Sequence, residues 1–255
     1  MKAAWIIAKK ELRTYFTSPI AYVVMTVFLV LVGFFFYSLL MWFNSQSLQA
    51  AQNPYYAQQM NINQMVFGPL FNNMSVILLL MVPLLTMRLF AEEKKIGTEE
   101  LLMTSPISVG QIVLGKFLAS FLVLAAMLAL SGLLAVFPFL YGNPEPAPIL
   151  CGYLGLLLMG AAFLAIGLFF SSLTENQIVA AILTFGALLL FWILNWAAGS
   201  ASGFWKDVLN YVSFFQHFDN STQGILDTSD LVYYASFAFF GLFLTHSVIQ
   251  SRRWR

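Results

Sequence analysis

The chain has 255 residues, 60% of them apolar and 9% charged, with 12 basic and 11 acidic side chains that leave a net charge of +1. A soluble domain carries about a quarter charged residues, so this composition belongs to the membrane class and excludes a cytosolic enzyme and a disordered chain. Near-neutrality offers no basic field for nucleic acid, Cys151 can form no internal disulfide, and two His with one Cys supply too few ligands for a zinc site.

In chain order, residues 2–17 form an amphipathic helix. Trp5, Ala8, Leu12, Tyr15 and Phe16 share one face, Lys2, Lys9 and Arg13 lie beside it, and Ile6 and Ile7 spoil the separation. That pattern predicts a helix lying in the headgroup region; a simple basic tail is the alternative. Pro19 ends the helix and turns the chain into a first apolar run, Ile20 to Phe43. This run is too long for a signal-peptide core and lacks an Ala-x-Ala site, so it reads as a retained span.

Crossing about 30 Å of hydrocarbon takes about 20 apolar residues in a helix. Five further runs meet that length: Pro69 to Met87, Phe117 to Tyr141, Ile149 to Ser171, Ile178 to Ala198 and Leu231 to Ile249. Backbone groups in lipid must be satisfied internally, and continuous apolarity selects helices over a barrel. The expectation is an all-α polytopic membrane protein, a single six-span domain over residues 1–255. Lys2, Lys9, Lys10 and Arg13, then Arg88, Lys94, Lys95 and Lys116, then Arg252, Arg253 and Arg255 all fall on one side if the spans alternate, with Lys206 alone opposite. Basic loops stay cytoplasmic, so both termini are predicted to be cytoplasmic.

Between the spans, the uncharged, Asn- and Gln-rich stretch Asn44 to Gly68 reads as a solvated outer loop. Gly142 to Pro148 and Ser172 to Gln177 are tight turns. The outer stretch Gly199 to Asp230 contains Trp205, Val208, Val212 and Phe215 at helical spacing opposite Lys206, Asn210, Ser213 and His217, which predicts one second amphipathic helix, either a lid on a transport path or an interfacial connector. Small residues on span four, Gly152, Gly155, Ala161 and Ala165, suit close helix packing.

Most candidate chemistry fails. Gly110 to Lys116 fits G-x-x-x-x-G-K, but Phe117 follows where a Ser or Thr would hold magnesium, and the segment opens a membrane span. No protease constellation can be assembled from the spans. No ionisable residue sits near a span centre, which argues against a proton relay, although a sodium site of carbonyls and hydroxyls would escape that test.

The informative segment runs from Arg88 to Lys116. Glu92, Glu93, Lys94, Lys95, Glu99 and Glu100 crowd together; Thr98 can cap a helix whose first turn holds Glu99 and Glu100; Pro106 ends it or opens the next; and Ser108 with Gln111 forms a capping box at the start of the helix leading into span three. The prediction is a short, charged helix beneath the membrane, with a solvated loop as the alternative.

Glu93-Lys-Lys-Ile-Gly97-Thr98-Glu-Glu100-Leu-Leu102-Met-Thr-Ser-Pro106-Ile-Ser108, followed by the apolar run ending in Gly115-Lys116, resembles the segment between spans two and three of type-2 ABC exporter permeases. There the pattern is E-x-x-x-G-T-x-E-x-L-L-x-x-P-x-S, then an apolar run ending in Gly-Lys. The resemblance covers the whole chain, because six spans, an amphipathic N-terminal helix and a long final outer connection are shared. It implies that Glu93, Gly97, Thr98, Glu100, Leu102 and Pro106 build a coupling helix touching a separate ATPase, and that Trp5, Leu12 and Phe16 belong to an interfacial helix. It further implies two ATPase copies, a homodimer or a heterodimer with a related permease, contact with lipid, a periplasmic accessory subunit, and a bacterial inner membrane location. No cofactor and no enzymatic activity of the chain itself are expected. The stretch Phe215-Gln-His-Phe218 through Gly224 to Tyr233 is similar to the gliding-motility branch, with a copper-enzyme maturation branch as the alternative. A non-transporting membrane anchor or assembly factor would share this topology.

Overall fold

The computed structural model describes residues 2–50, 60–99, 107–200 and 202–253, and every regular element among them is helical. After α1 (Lys2–Thr17) come α2 (Pro19–Ala50), a π-turn (Asn63–Phe67) leading directly into α3 (Gly68–Thr86), α4 (Arg88–Ile96), and α5 (Val109–Gly132), extended by a 3₁₀ turn and α6 (Val136–Tyr141). Then follow α7 (Pro146–Leu173), α8 (Gln177–Ser200), α9 (Phe204–Val212), α10 (Phe214–Thr222) and α11 (Thr228–Arg253). Six of these helical runs, built on α2, α3, α5, α7, α8 and α11, are long and apolar enough to cross a membrane, so the chain is an all-α multi-pass membrane protein.

Local chemistry places the helix starts. Proline opens α2 and α7, where a missing N–H costs nothing. Asn176 Oδ1 accepts from the backbone N–H of Ile178 at 2.9 Å and starts α8. Ser108 and Gln111 exchange the two bonds of a capping box at the start of α5.

At the centre stands α7, packed against α3, α4, α5, α8, α10 and α11. Its glycines make this possible: a Cβ on Gly152 would collide with Phe71 of α3, one on Gly160 with Leu124 of α5, and one on Gly167 with Thr86. The least buried spans are α2 and α8, and the most buried is α3. Although α3 packs with both α2 and α8, it leaves the i, i+4 row Asn72, Val76, Leu80 and Leu84 exposed.

Three expectations need correction. On α1, Ala4, Ile7, Ala8, Glu11 and Tyr15 pack inward, whereas Trp5 and Phe16 of the expected apolar face are 58% and 42% exposed. Two adjacent apolar faces exist, one packed against protein and one exposed, which is why Ile7 disturbed a single-face reading. The stretch Asn44 to Gly68 is not a solvated loop along its described part: α2 continues to Ala50, and Asn63, Val66 and Phe67 are buried, with Asn63 Nδ2 donating to the Glu145 carbonyl at 2.9 Å. Finally, the single outer helix is two, broken at Ser213, whose backbone is extended. Nothing on α9 is buried, while α10 buries Phe214, Phe215 and Phe218; the break lets Phe214 insert edge-on against Phe163 and Phe191, which one continuous helix with Val212 and Phe215 in register would not allow.

The outer pair is tied to the start of α11. Tyr233 and Tyr234 donate to the carbonyls of Val212 and Phe214, each at 2.6 Å. The His217 ring stacks on Tyr233, with Nδ1 2.6 Å from Asp230 and Nε2 3.1 Å from the Tyr211 carbonyl. His217 therefore faces the protein, not solvent.

Candidate functional site

The end of the bundle that carries the basic residues is built around α4. Gly97 ends this helix in the left-handed conformation, φ +77°, and its N–H reaches the Lys94 carbonyl at 3.1 Å while the N–H of Thr98 reaches the Glu93 carbonyl at 3.0 Å. This is a Schellman closure, which needs a residue free of a Cβ penalty at the left-handed position. The Thr98 hydroxyl also donates to the Glu93 carbonyl, at 3.3 Å. Thr98 thus seals the helix before it, a role that the reading of Thr98 as a cap for the following helix did not include. Glu100, Leu102 and Pro106 lie outside the described residues.

On the same helix, Ser171 of α7 bridges the break between α3 and α4. Its hydroxyl donates to the Met87 carbonyl at 3.0 Å and accepts from the N–H groups of Phe90 and Ala91 at 3.1 and 3.3 Å, satisfying backbone groups that the break frees. Lys94 donates to the Ser172 carbonyl. These contacts bolt α4 onto the central helix.

Beside them lies a buried charge cluster. Lys116, in the first turns of α5 and 1% exposed, places its ammonium 3.1 Å from Glu11 of α1 and 2.8 Å from Glu93 of α4, and also donates to the Leu89 carbonyl at 2.5 Å. Lys10 bridges the same two carboxylates from the solvent side, at 3.3 and 3.1 Å. Although partial burial works against its charge, Glu11 and Glu93 together hold the Lys10 ammonium above its ordinary pKa. A buried cation with a single partner would be costly; alternating signs across three helices keep each charge compensated. Gly115 allows the approach, because a Cβ there would lie 2.7 Å from Ile7 and 2.8 Å from the Ala4 carbonyl. The Gly-Lys pair of the failed phosphate-loop pattern is thus a helix-crossing glycine and an internal counter-ion.

Next to this cluster, Arg88 stacks its guanidinium over the Tyr15 ring, 4.4 Å from the centroid, and Tyr15 donates to the Leu85 carbonyl at 2.5 Å. Burial pushes the Tyr15 hydroxyl far above its usual pKa, so it remains a donor.

Of the expected coupling residues, the structure brings Glu93, Gly97 and Thr98 together at the end of α4, with Glu93 turned inward to Lys116. Of the interfacial residues, Trp5 and Phe16 are exposed beside the packed face of α1, while Leu12 is partly buried against the core. Glu11, Arg88 and Ser171 were missed. Glu11 carried a signal: it is the one carboxylate in a basic helix and shares an i, i+4 row with Ile7 and Tyr15.

One family model, described as ABC-2 family transporter protein, matches residues 5–250. The chain belongs to that family. No curated protein is similar enough to count as a match. As an ABC-2 family protein, this chain is a membrane permease component of an ABC transporter, and the family implies, in general terms, association with an ABC ATPase and pairing of permeases. In this ABC-2 permease the helix α4, which follows the second span, is therefore held to the N-terminal helix and to the central helix by buried polar contacts.

Proposed function

We propose that this permease belongs to an ATP-driven exporter of a bacterial inner membrane, with both termini cytoplasmic, and that ATP is hydrolysed on two copies of a separate ATPase. The observation that supports the reading is the Glu93–Lys116–Glu11 cluster. A displacement of α4 by the ATPase would be handed through Glu93 to the foot of the third span and to α1 together. Gly97, Thr98, Glu100, Leu102 and Pro106 form the contact surface, and Trp5, Leu12 and Phe16 seat α1 in the headgroups.

Two such subunits, identical or related, face each other through the first and fifth spans, whose apolar surfaces are the least covered. Assignment to the gliding-motility branch rests on the outer stretch 215–233, and a periplasmic accessory subunit on the family resemblance.

Co-expression with candidate ATPase subunits tests the proposal. A complex with two permeases and two ATPases, whose hydrolysis rate changes when the permease is present, supports it. A chain that assembles into an envelope complex while recruiting no ATPase would instead be the non-transporting anchor.

A further inference from the structure

The geometry points to a phospholipid headgroup site at the basic end of the bundle, between the first, second and fifth spans, selective for a phosphate that carries a primary ammonium. Arg88 is 7% exposed, yet its Nη2 is enclosed without any hydrogen-bond partner, and no carboxylate among the described residues lies within ion-pair distance. Lys116 and Lys10, by contrast, each have two carboxylates. A buried guanidinium nitrogen lacking an acceptor is expensive unless a ligand supplies one, and a phosphate oxygen is a matching acceptor.

Arg88 lines a groove of about 330 Å³ together with Glu92, with Thr17, Ser18 and Ile20 from the corner between α1 and α2, and with Gln177 from the start of α8. The groove offers both signs. Ser18 Oγ accepts from the Ile20 N–H at 3.4 Å, which leaves its proton for a phosphate oxygen. Thr17 donates to the Arg13 carbonyl at 2.7 Å, which leaves its lone pairs for an ammonium, as does the Glu92 carboxylate. A plain anion would meet Glu92 as a repelling charge; a phosphoethanolamine headgroup would meet Arg88 with its phosphate and Glu92 with its amine.

A lipid source, not a free phosphate compound, is favoured by what lies above the groove. Arg88 and Glu92 continue the i, i+4 row of Val76, Leu80 and Leu84, whose side chains are 41%, 51% and 38% exposed on the most buried span. Headgroup chemistry and an apolar track for acyl chains thus share one line between α2 and α8. The site requires only the membrane embedding of the chain, and would stand even if ATPase coupling failed.

The full chain, purified in detergent, delipidated and without any ATPase, is titrated with phosphatidylethanolamine, phosphatidylglycerol, phosphatidylcholine and tail-less glycerophosphoethanolamine. Retained ligand is read by native mass spectrometry and stabilisation by melting temperature. The expected result is preferential retention of phosphatidylethanolamine, with affinity lowered about tenfold or more by Arg88→Gln and less by Arg88→Lys. Glu92→Gln, which keeps Arg88 in place, should bind phosphatidylethanolamine and phosphatidylglycerol equally. Retention unchanged in Arg88→Gln overturns the site. Equal retention of the three lipids by the unaltered chain overturns the ammonium contact, and glycerophosphoethanolamine binding as tightly as the whole lipid overturns the lipid assignment.

Discussion

Lys116 Nζ lies 2.8 Å from Glu93 Oε2, joining the foot of the third span to the helix that follows the second. Removing one member of a buried ion pair costs about 3–5 kcal/mol because the other charge is stranded. Here Glu11 and Glu93 keep an edge to water, with side chains 10% and 13% exposed, so Lys116→Met should destabilise toward the lower end of that range. Thermal unfolding in detergent measures it. The triple variant Lys116→Met, Glu11→Gln, Glu93→Gln should recover most of the loss, and a triple variant no better than the single one would show that charge compensation is not what holds this corner.

Gly97 has open space around its missing Cβ, so a substitution there is resisted by backbone conformation alone. A β-branched residue in the left-handed region costs about 1–2 kcal/mol, and Asn costs less. Gly97→Val should therefore weaken ATPase association more than Gly97→Asn, with insertion into the membrane unchanged in both. Pull-down of the ATPase by each variant, normalised to membrane abundance, decides the order.

Thr98→Ala and Glu100→Ala probe the surface beyond that turn. Each should leave expression near normal while reducing ATPase binding or separating hydrolysis from transport. Loss of the Thr98 side chain removes one bond, about 1 kcal/mol, too little to unfold the bundle. Glu145→Ala is the matched control, since only the carbonyl of Glu145 is used, by Asn63. Full binding and full transport in both variants would return the segment to a solvated loop.

Close approach along α7 gives a packing prediction. Gly152→Ala drives a methyl into the Phe71 ring and should lower stability by about 1–3 kcal/mol, whereas Gly186→Ala on α8 enters open space and should be neutral or slightly stabilising. Melting temperatures of the two variants, side by side, test whether α7 is the crossing helix.

Orientation follows from single cysteines in a Cys151→Ala background. Asn143→Cys and Gln216→Cys are exposed at the end away from the basic residues and should react with an impermeant thiol reagent in intact cells. Lys95→Cys and Ser251→Cys should react only after the cells are opened. Ser221 is unsuitable as an outer probe because it is 2% exposed, packed where a Cβ on Gly155 would fall. Labelling of Lys95→Cys in intact cells would reverse the topology.

By itself the sequence determined the six helices, their basic end, the capping box at Ser108 and Gln111, and the glycine at position 97, since run length, charge bias and cap chemistry are local properties that neighbouring residues settle among themselves. Which side of each helix meets protein was decided only by the tertiary structure. A span that is apolar all round has no polar face to mark its lipid side, so the exposed row on α3 and the poor coverage of α2 and α8 left no trace in hydropathy. The same holds for α1, whose packed face and exposed face are both apolar and adjacent. The break at Ser213 came from the Phe214 ring finding Phe163 and Phe191, contacts across the fold that overrode a continuous helical pattern. Lys116 could not be read as a counter-ion because Glu11 lies 105 residues earlier, and a buried charge acquires its meaning only from the helices that happen to cross it.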